Sequence, residues 1–210
     1  MGKTKRKGYL LSIEGTEGTG KTTIAFMVKN YLEEKGYPVS LYREPGSTPV
    51  SEKIRQILLK QELDSLTEAF LYLASRRELI KKRIIPDLEK GKVVILDRYI
   101  DSTIAYQGYG RGLDIKWLEE LNYKVVEGIL PNLTLILLSS SPLGFLKEGK
   151  DRMEREPKDF HARVREGYHR IACSFPERVR IIEVETGIEK VFEKVKEIIE
   201  REVIPCLSRI

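Results

Sequence analysis

The stretch EGTEGTGKTT (Glu14–Thr23) sits between a short apolar run, YLLSI (Tyr9–Ile13), and a helical pattern that runs from Lys21 to Lys35 and stops at Gly36. Gly15, Gly20, Lys21 and Thr22 fit G-x-x-x-x-G-K-[ST], and a strand-to-helix setting is the context that this pattern requires. Glycines let the backbone wrap until its N–H groups converge on an anion, at the positive end of the helix that follows. The loop residues Gly15, Thr16, Glu17, Gly18, Thr19, Gly20, Lys21, Thr22 and Thr23 are therefore the candidate cradle for the phosphates of ATP. Lys21 would reach the β- and γ-phosphates, and the Thr22 hydroxyl would help to hold Mg²⁺.

Working outward, short apolar runs alternate with long helical patterns. Strands are predicted at Tyr9–Ile13, Pro38–Tyr42, Val93–Asp97, Leu133–Leu138 and Val179–Val184. Helical stretches are predicted at Val50–Leu59, Thr67–Glu89, Ile115–Gly128, Lys158–Ala172 and Ile188–Arg201. Strands that are apolar on both faces and separated by helices predict an α/β fold, a doubly wound, five-stranded parallel sheet with helices on both faces. Ligands of such a sheet gather at the carboxyl ends of its strands. One domain is expected over residues 1–210, with a basic tail at 1–8 and a short polar lid at 142–157 between Ser139 and Pro157.

Composition narrows the class. The chain is 41% apolar and 33% charged, with 37 Lys and Arg against 32 Asp and Glu, a mild excess of +5. Lys3, Lys5, Arg6 and Lys7 supply part of it, but no aromatic platform accompanies them, so no nucleic-acid partner is expected. The longest apolar runs fall far short of a membrane span, and too few apolar residues follow the basic start for a signal peptide. Cys173 and Cys206 share no metal-ligand spacing and form no disulfide framework, which points to a reducing, cytoplasmic setting.

A triphosphate loop alone leaves motors, switches and kinases open. VVILDR places Asp97 at the end of a buried strand, where it can orient Mg²⁺ or take a proton from an acceptor; a helix N-cap is the alternative for it. After the second strand, YREPGSTPVSEKIRQ brings Arg43, Glu44 and Arg55, and Arg98 follows Asp97. Three arginines exceed what one triphosphate needs, and their planar forks suit a second anion, the monophosphate of an acceptor. FLYLASRRE sets Tyr72 and Arg76 one helical turn apart, able to clamp a base between ring and guanidinium. A core tyrosine beside a surface arginine accounts for that spacing equally well. DRYIDSTIAYQGYGRG then supplies Thr103, Tyr106 and Gln107, polar groups suited to a base edge.

Taken in order and spacing, EGTEGTGKTT, YREPGSTPVSEKIRQILL, FLYLASRRE, DRYIDSTIAYQGYGRGLD and DRMEREPKDFHARVREGY resemble the bacterial thymidylate kinases (dTMP kinases), P-loop kinases of nucleoside monophosphates. The likeness spans about Tyr9 to Gly187, and its long Asp97–Asp114 motif is the family-specific part. It implies phosphoryl transfer from ATP-Mg to dTMP by a homodimer. On matching positions it implies that Glu17 lies near the deoxyribose 3′-hydroxyl and that Arg43, Arg55 and Arg98 surround the dTMP phosphate, with Glu44 in the same loop. It also implies that Tyr72 stacks on thymine, that Arg76 bonds its carbonyl edge and that Thr103 and Gln107 contact the base. The same resemblance implies that Tyr106 is the bulky group that rejects a ribose 2′-hydroxyl and that Asp97 orients magnesium and the acceptor.

Departures from the family pattern fall in three places. Gly18 stands where one branch of the family has an arginine, and members without it take their cations from the lid. The lid here is short, with Lys147, Lys150, Arg152 and Arg155 as candidates and Arg152, in the matching DR element, the first choice for catalysis. Ser47 replaces the usual second glycine of EPGGT, and the fourth strand ends in LLSSS where an acidic or amide residue is common. His161, His169 and Trp117 are expected to pack rather than to react. Two further readings stay open, a kinase for another nucleotide such as dUMP and a binding module that has lost turnover.

Overall fold

The computed structural model describes residues 8–139, 152–184 and 187–208. Most of the basic tail, the lid residues 142–151 with Lys147 and Lys150, and the last serines of LLSSS lie outside the described residues. Five strands, β1 (Tyr9–Gly15), β2 (Val39–Arg43), β3 (Val93–Asp97), β4 (Leu133–Ser139) and β5 (Val179–Val184), form one parallel sheet in the order β2-β3-β1-β4-β5. The doubly wound parallel sheet expected from the apolar runs is the one observed. Tyr9–Ile13 pairs residue for residue with Val93–Asp97, and Val39–Arg43 pairs with the other side of the same strand.

Alternation along the strands divides the core. Leu11, Ile13, Val93, Ile95, Leu135 and Leu137 face helix α1 (Lys21–Glu34) and the C-terminal helices. Leu10, Val94 and Leu96 face the opposite layer, as do Ile136 and Leu138. Helix α1 buries Ile24, Val28 and Leu32, spaced one turn apart, and burial of each such side chain stabilises by ~1.5–3 kcal/mol. The first helix therefore cannot rotate without exposing its whole apolar stripe.

On the second face lie α2 (Pro49–Lys60) and α3 (Ser65–Leu79), each begun by a side-chain cap: Thr48 accepts from Ser51 N, and Asp64 from the amides of Leu66 and Thr67. The helix predicted over Thr67–Glu89 is continuous but not uniform. A π-helical segment, Ile80–Ile84, joins α3 to α4 (Ile85–Glu89). Pro86 explains it: without an N–H, and with a ring that crowds the carbonyl four residues back, it favours the wider winding just before it.

Residues after β3 are more helical than the sequence led us to expect. α5 (Ile100–Thr103) runs into a second π-helical segment, Ile104–Gly110. α6 (Ile115–Val126), capped by Asp114, α7 (Lys158–Ser174) and α8 (Ile188–Ile198) match their predicted stretches closely. The last helix goes beyond the predicted Arg201, through Ile199–Val203 into α9 (Ile204–Leu207), because Ile199, Val203 and Leu207 continue its buried stripe. Trp117, expected in the core, is only half-buried and stands edge-on to Phe70 at 5.9 Å between centroids.

β1 leads to α1 on one face, and β3 leads to α5 on the other. The crevice between their carboxyl ends is a topological switch point, where open α/β sheets bind ligands. Gly15 closes β1 there at φ 138°, and a methyl group on it would lie 2.0 Å from the Leu137 carbonyl oxygen of β4. Gly15→Ala is therefore expected to cost more than about 3 kcal/mol of stability, read as a fall in urea midpoint. A variant as stable as the wild type would show that β1 and β4 can separate without loss.

Candidate active site

The loop after β1 is stiff before any ligand arrives. Thr19 Oγ1 donates to Thr16 O at 2.8 Å, and Lys21 Nζ donates to the same carbonyl. Gly20, at φ 80°, turns the chain into α1, whose first turn carries neither a side-chain cap nor an acidic residue. The free amides and the positive helix end are thus left to an external anion. Lys21 is buried, and burial first, then the nearby Arg98, bring its ammonium down to about 8. Two crowded cations in a low-dielectric recess favour an anion between them.

Thr22 Oγ1 donates to Asp97 Oδ2 at 2.5 Å, which joins the loop to the end of β3. One hydroxyl and one carboxylate, both hard oxygen donors, fit Mg²⁺, which keeps several waters and takes its remaining ligands from nucleotide phosphates. No group of three or more His, Cys, Asp or Glu suited to a metal cage occurs among the described residues.

Arg98 follows in the left-handed region at φ 71°. Its guanidinium reaches Glu17 Oε1 at 2.8 Å, Gly15 O at 3.0 Å and Ser102 Oγ at 3.2 Å, and lies over the Tyr106 ring at 4.9 Å. Burial opposes the charge on Glu17, yet Arg98, Lys21 and the Tyr106 hydroxyl, which donates to it, hold its carboxyl below the usual range. Glu17 and Tyr106, assigned to the sugar by resemblance, are thus joined.

Arg76 is only 1% exposed. It donates to Glu44 Oε2 at 2.7 Å, Thr103 Oγ1 at 2.8 Å, Asn122 Oδ1 at 2.5 Å and Tyr99 O at 2.8 Å. With four of its five N–H groups used, one is left for a ligand, so Arg76 is first an organiser of Glu44 and Thr103. Glu44 keeps one buried carboxylate oxygen, Oε1, without a partner among the described residues, and burial raises its pKa. Arg43 is exposed and paired with Glu52 at 3.0 Å, while Arg55 donates to Pro45 O at 3.0 Å. Ser47 occupies φ 69°, which accounts for glycine being usual there; its hydroxyl accepts from Arg43 N at 2.9 Å and so holds the turn.

One cavity of about 330 Å³ is lined by Glu17, Gly18, Gly20, Lys21, Thr22 and Thr23 of the loop, by Asp97 and Arg98 after β3, by Arg43, Glu44 and Arg55, and by Tyr72, Arg76, Thr103, Tyr106 and Gln107. Gly15, Thr16 and Thr19 shape the loop without lining the cavity. Arg152 is drawn aside, its Nη2 on Glu68 Oε2 at 2.5 Å and its Nε on Leu58 O at 3.2 Å; Met153 and Glu154 border the cavity instead. Arg155 is exposed. His161 packs edge-on to Phe160, in keeping with a structural role.

Sequence reasoning missed the layer behind these residues. Glu14 is fully buried and accepts from Tyr99 N at 2.7 Å, Ser102 Oγ at 2.5 Å and Tyr168 OH at 3.1 Å. Ser102 and Tyr168 in turn touch Arg98. A carboxylate closing an apolar strand was visible at Glu14; Tyr168 gave no such signal. Glu68 was visible too, since Glu68, Tyr72 and Arg76 follow one another at four-residue spacing on a single helical face.

The doubly wound sheet and its glycine-rich loop define a phosphotransferase of the P-loop kinase type. The comparisons narrow the class. The thymidylate kinase family profile matches residues 13–195. Relatives include the thymidylate kinases of Clostridium novyi (strain NT), 42% identical over 90% of this chain and 97% of the relative, and of Chlorobaculum tepidum, 43% identical over 89% and 94%. The crystal structure of thymidylate kinase from Ehrlichia chaffeensis superposes with a TM-score of 0.77 at 37% identity, covering 92% of this chain and 98% of that one. The chain belongs to the thymidylate kinase family.

Burial, then the charge of Asp101, push the Glu14 carboxyl up to about 7 from 4.5. A proton is therefore held more tightly in the folded chain than in the unfolded one. The stability associated with Glu14 is complete below pH 4.5 and is lost as pH rises through about 7. Glu14→Gln, which cannot ionise, is expected to gain on the wild type by up to about 3 kcal/mol between acid and pH 8, measured by urea unfolding across that range. A difference independent of pH would show that Glu14 does not titrate there.

Proposed function

We propose that this protein transfers the γ-phosphoryl group of ATP to dTMP, giving dTDP and ADP for dTTP synthesis, with Mg²⁺ as cofactor. The observation that carries the reading is that one cavity is lined together by Lys21, Thr22 and Asp97, by Arg43, Arg55 and Arg98, and by Tyr72, Arg76, Thr103 and Gln107. On this reading the triphosphate lies at the loop, the acceptor phosphate against Arg98, Arg55 and Arg43, and the base against Tyr72 and Gln107.

Both reactants are anions, so repulsion between them is the first barrier. Lys21 and Arg98 sit where the two phosphates meet, and their mutual repulsion is relieved when negative charge enters between them. Mg²⁺, when bound at Thr22 and Asp97, supplies charge neutralisation at the phosphate oxygens. The reaction then needs little covalent help beyond in-line positioning. Glu17, fixed by Arg98 and Tyr106, accepts from the sugar 3′-hydroxyl, while the Tyr106 ring fills the space that a 2′-hydroxyl would need. Tyr72 stacks on the base, and Arg76, Thr103 and Gln107 meet its edge. Arg152 serves the transferring group from the lid side, which requires it to leave Glu68.

Purified protein with ATP-Mg and a panel of dTMP, dUMP, UMP, CMP, AMP and GMP is expected to release ADP preferentially with dTMP, at one or more of several temperatures. Lys21→Met should lower kcat at least ~100-fold with the fold retained by circular dichroism. Binding of dTMP without conversion at any temperature would leave a nucleotide-binding module in place of an enzyme.

The working form is a homodimer in the cytoplasm. Val50 and Ile57 on α2, Leu66 and Phe70 on α3 and Tyr123 on α6 expose apolar side chains across three neighbouring helices, a patch suited to a second copy. Both cysteines are free and exposed, as a reducing compartment allows, and no helix among the described residues is long and apolar enough to cross a membrane. Sedimentation is expected to give twice the 24.2 kDa chain mass, and Phe70→Asp to halve it. A wild-type monomer at micromolar concentration would refute the dimer.

A further inference from the structure

Glu68 is completely buried, yet it is surrounded by donors. Gln107 Nε2 donates to its Oε1 at 2.8 Å. Arg111 gives Nε to Oε1 at 3.2 Å and Nη2 to Oε2 at 3.0 Å, and Arg152 adds its bond to Oε2. Burial opposes ionisation, but these partners hold the carboxyl below its usual range. An ionised carboxylate can only accept hydrogen bonds. The Gln107 amide is therefore turned with its NH₂ group toward Glu68, and its carbonyl oxygen is the end left for a ligand.

A free glutamine has no such preference. Its amide can flip, presenting a donor to one base and an acceptor to another, at the cost of a torsional turn alone. Gln107 borders the same recess as Tyr72, Arg76 and Thr103. We propose that Glu68 is a specificity-determining positioning residue: by fixing the direction of the Gln107 amide, it makes position 107 an obligate acceptor toward the base. The inference rests on the proposed pyrimidine nucleotide function and deepens it. Thymine and uracil carry an N–H at ring position 3 and satisfy an acceptor. Cytosine carries a lone pair there, which would face the glutamine oxygen and remain unpaired. Arg76, a donor with one N–H to spare, adds to the same choice, because thymine offers a carbonyl oxygen where cytosine offers an amino group.

The test compares dTMP, dUMP and dCMP on wild type, Glu68→Gln, and the exchange Glu68→Gln with Gln107→Glu. Both kcat/KM and Kd are measured, and each ratio is taken on one preparation so that the active fraction cancels. A neutral amide at 68 can donate or accept, so Gln107 regains its freedom to flip. Glu68→Gln is expected to lower the preference for dTMP over dCMP about 10- to 100-fold, the worth of one mispaired buried hydrogen bond. The dTMP to dUMP ratio should not move, because those bases share the edge that Gln107 meets. The exchange should restore the preference, since a carboxylate at 107 can only accept.

An unchanged dTMP to dCMP ratio in Glu68→Gln overturns the proposal. So does a loss that the exchange fails to restore, since Glu68 would then act through packing. If Glu68→Gln does not fold, the exchange decides alone: retained preference supports the amide's direction as the cause, and lost preference refutes it. A wild type that binds dTMP without phosphorylating it defeats the functional reading, while the Kd ratios still decide the role of Glu68.

Discussion

Everything at the site depends on the in-register parallel pairing of β1 with β3. Because Ile13 lies opposite Asp97, the phosphate loop and the strand-end carboxylate emerge side by side, and Thr22 can bond Asp97 across 75 residues of sequence. The same pairing carries Arg98 N onto Ile13 O at 2.9 Å, which sends the arginine back over the loop rather than into solvent. A slip of one residue would reverse every side chain of the strand, exchanging Leu10 for Leu11 between the two core layers. The apolar packing of both faces is thus what holds the catalytic register, and site geometry is inherited from the core.

Much of this was legible in the chain. Five apolar runs separated by amphipathic stretches are enough for a parallel sheet, and a glycine-rich turn between the first run and the first helix locates its working end. Local chemistry is what the sequence states clearly. Long-range polar contacts are what it conceals. Arg76 was read as a ligand contact because Tyr72 stands one turn away; that four of its N–H groups also bond Glu44, Thr103, Asn122 and Tyr99 depends on elements brought together only by the fold. Arg152 looked like a free lid cation for the same reason, and Glu68 binds it. The π-helical segment Ile104–Gly110 has no periodic signature that separates it from a polar loop, yet its winding places Tyr106 and Gln107 against the cavity.

A pattern unites three acidic residues around the site, of which only Glu44 was singled out in the sequence. Three buried carboxylates stand behind the cationic surface of the site: Glu14 behind Arg98 through Ser102 and Tyr168, Glu44 behind Arg76, and Glu68 behind Gln107, Arg111 and Arg152. Each is costly to bury unless its donors are in place. What a carboxylate adds is direction. When ionised, as the donors around Glu68 hold it, a carboxylate accepts only, so the groups bonded to it are turned with their donors toward it.

That arrangement bears on why a kinase of two anions can be selective at all. Charge attracts any phosphate and cannot distinguish one nucleotide from another; affinity from Lys21 and the arginines is therefore indiscriminate. Selection has to come from neutral groups whose hydrogen-bonding sense is fixed before the ligand arrives, because a group free to flip loses its discrimination for little energy. The buried carboxylates supply that fixity to the neutral groups while holding the cations in position. On the reading proposed above, an acceptor that does not line the cavity, Glu68, fixes how a group that does line it, Gln107, is presented, so that preorganisation and discrimination follow from one arrangement.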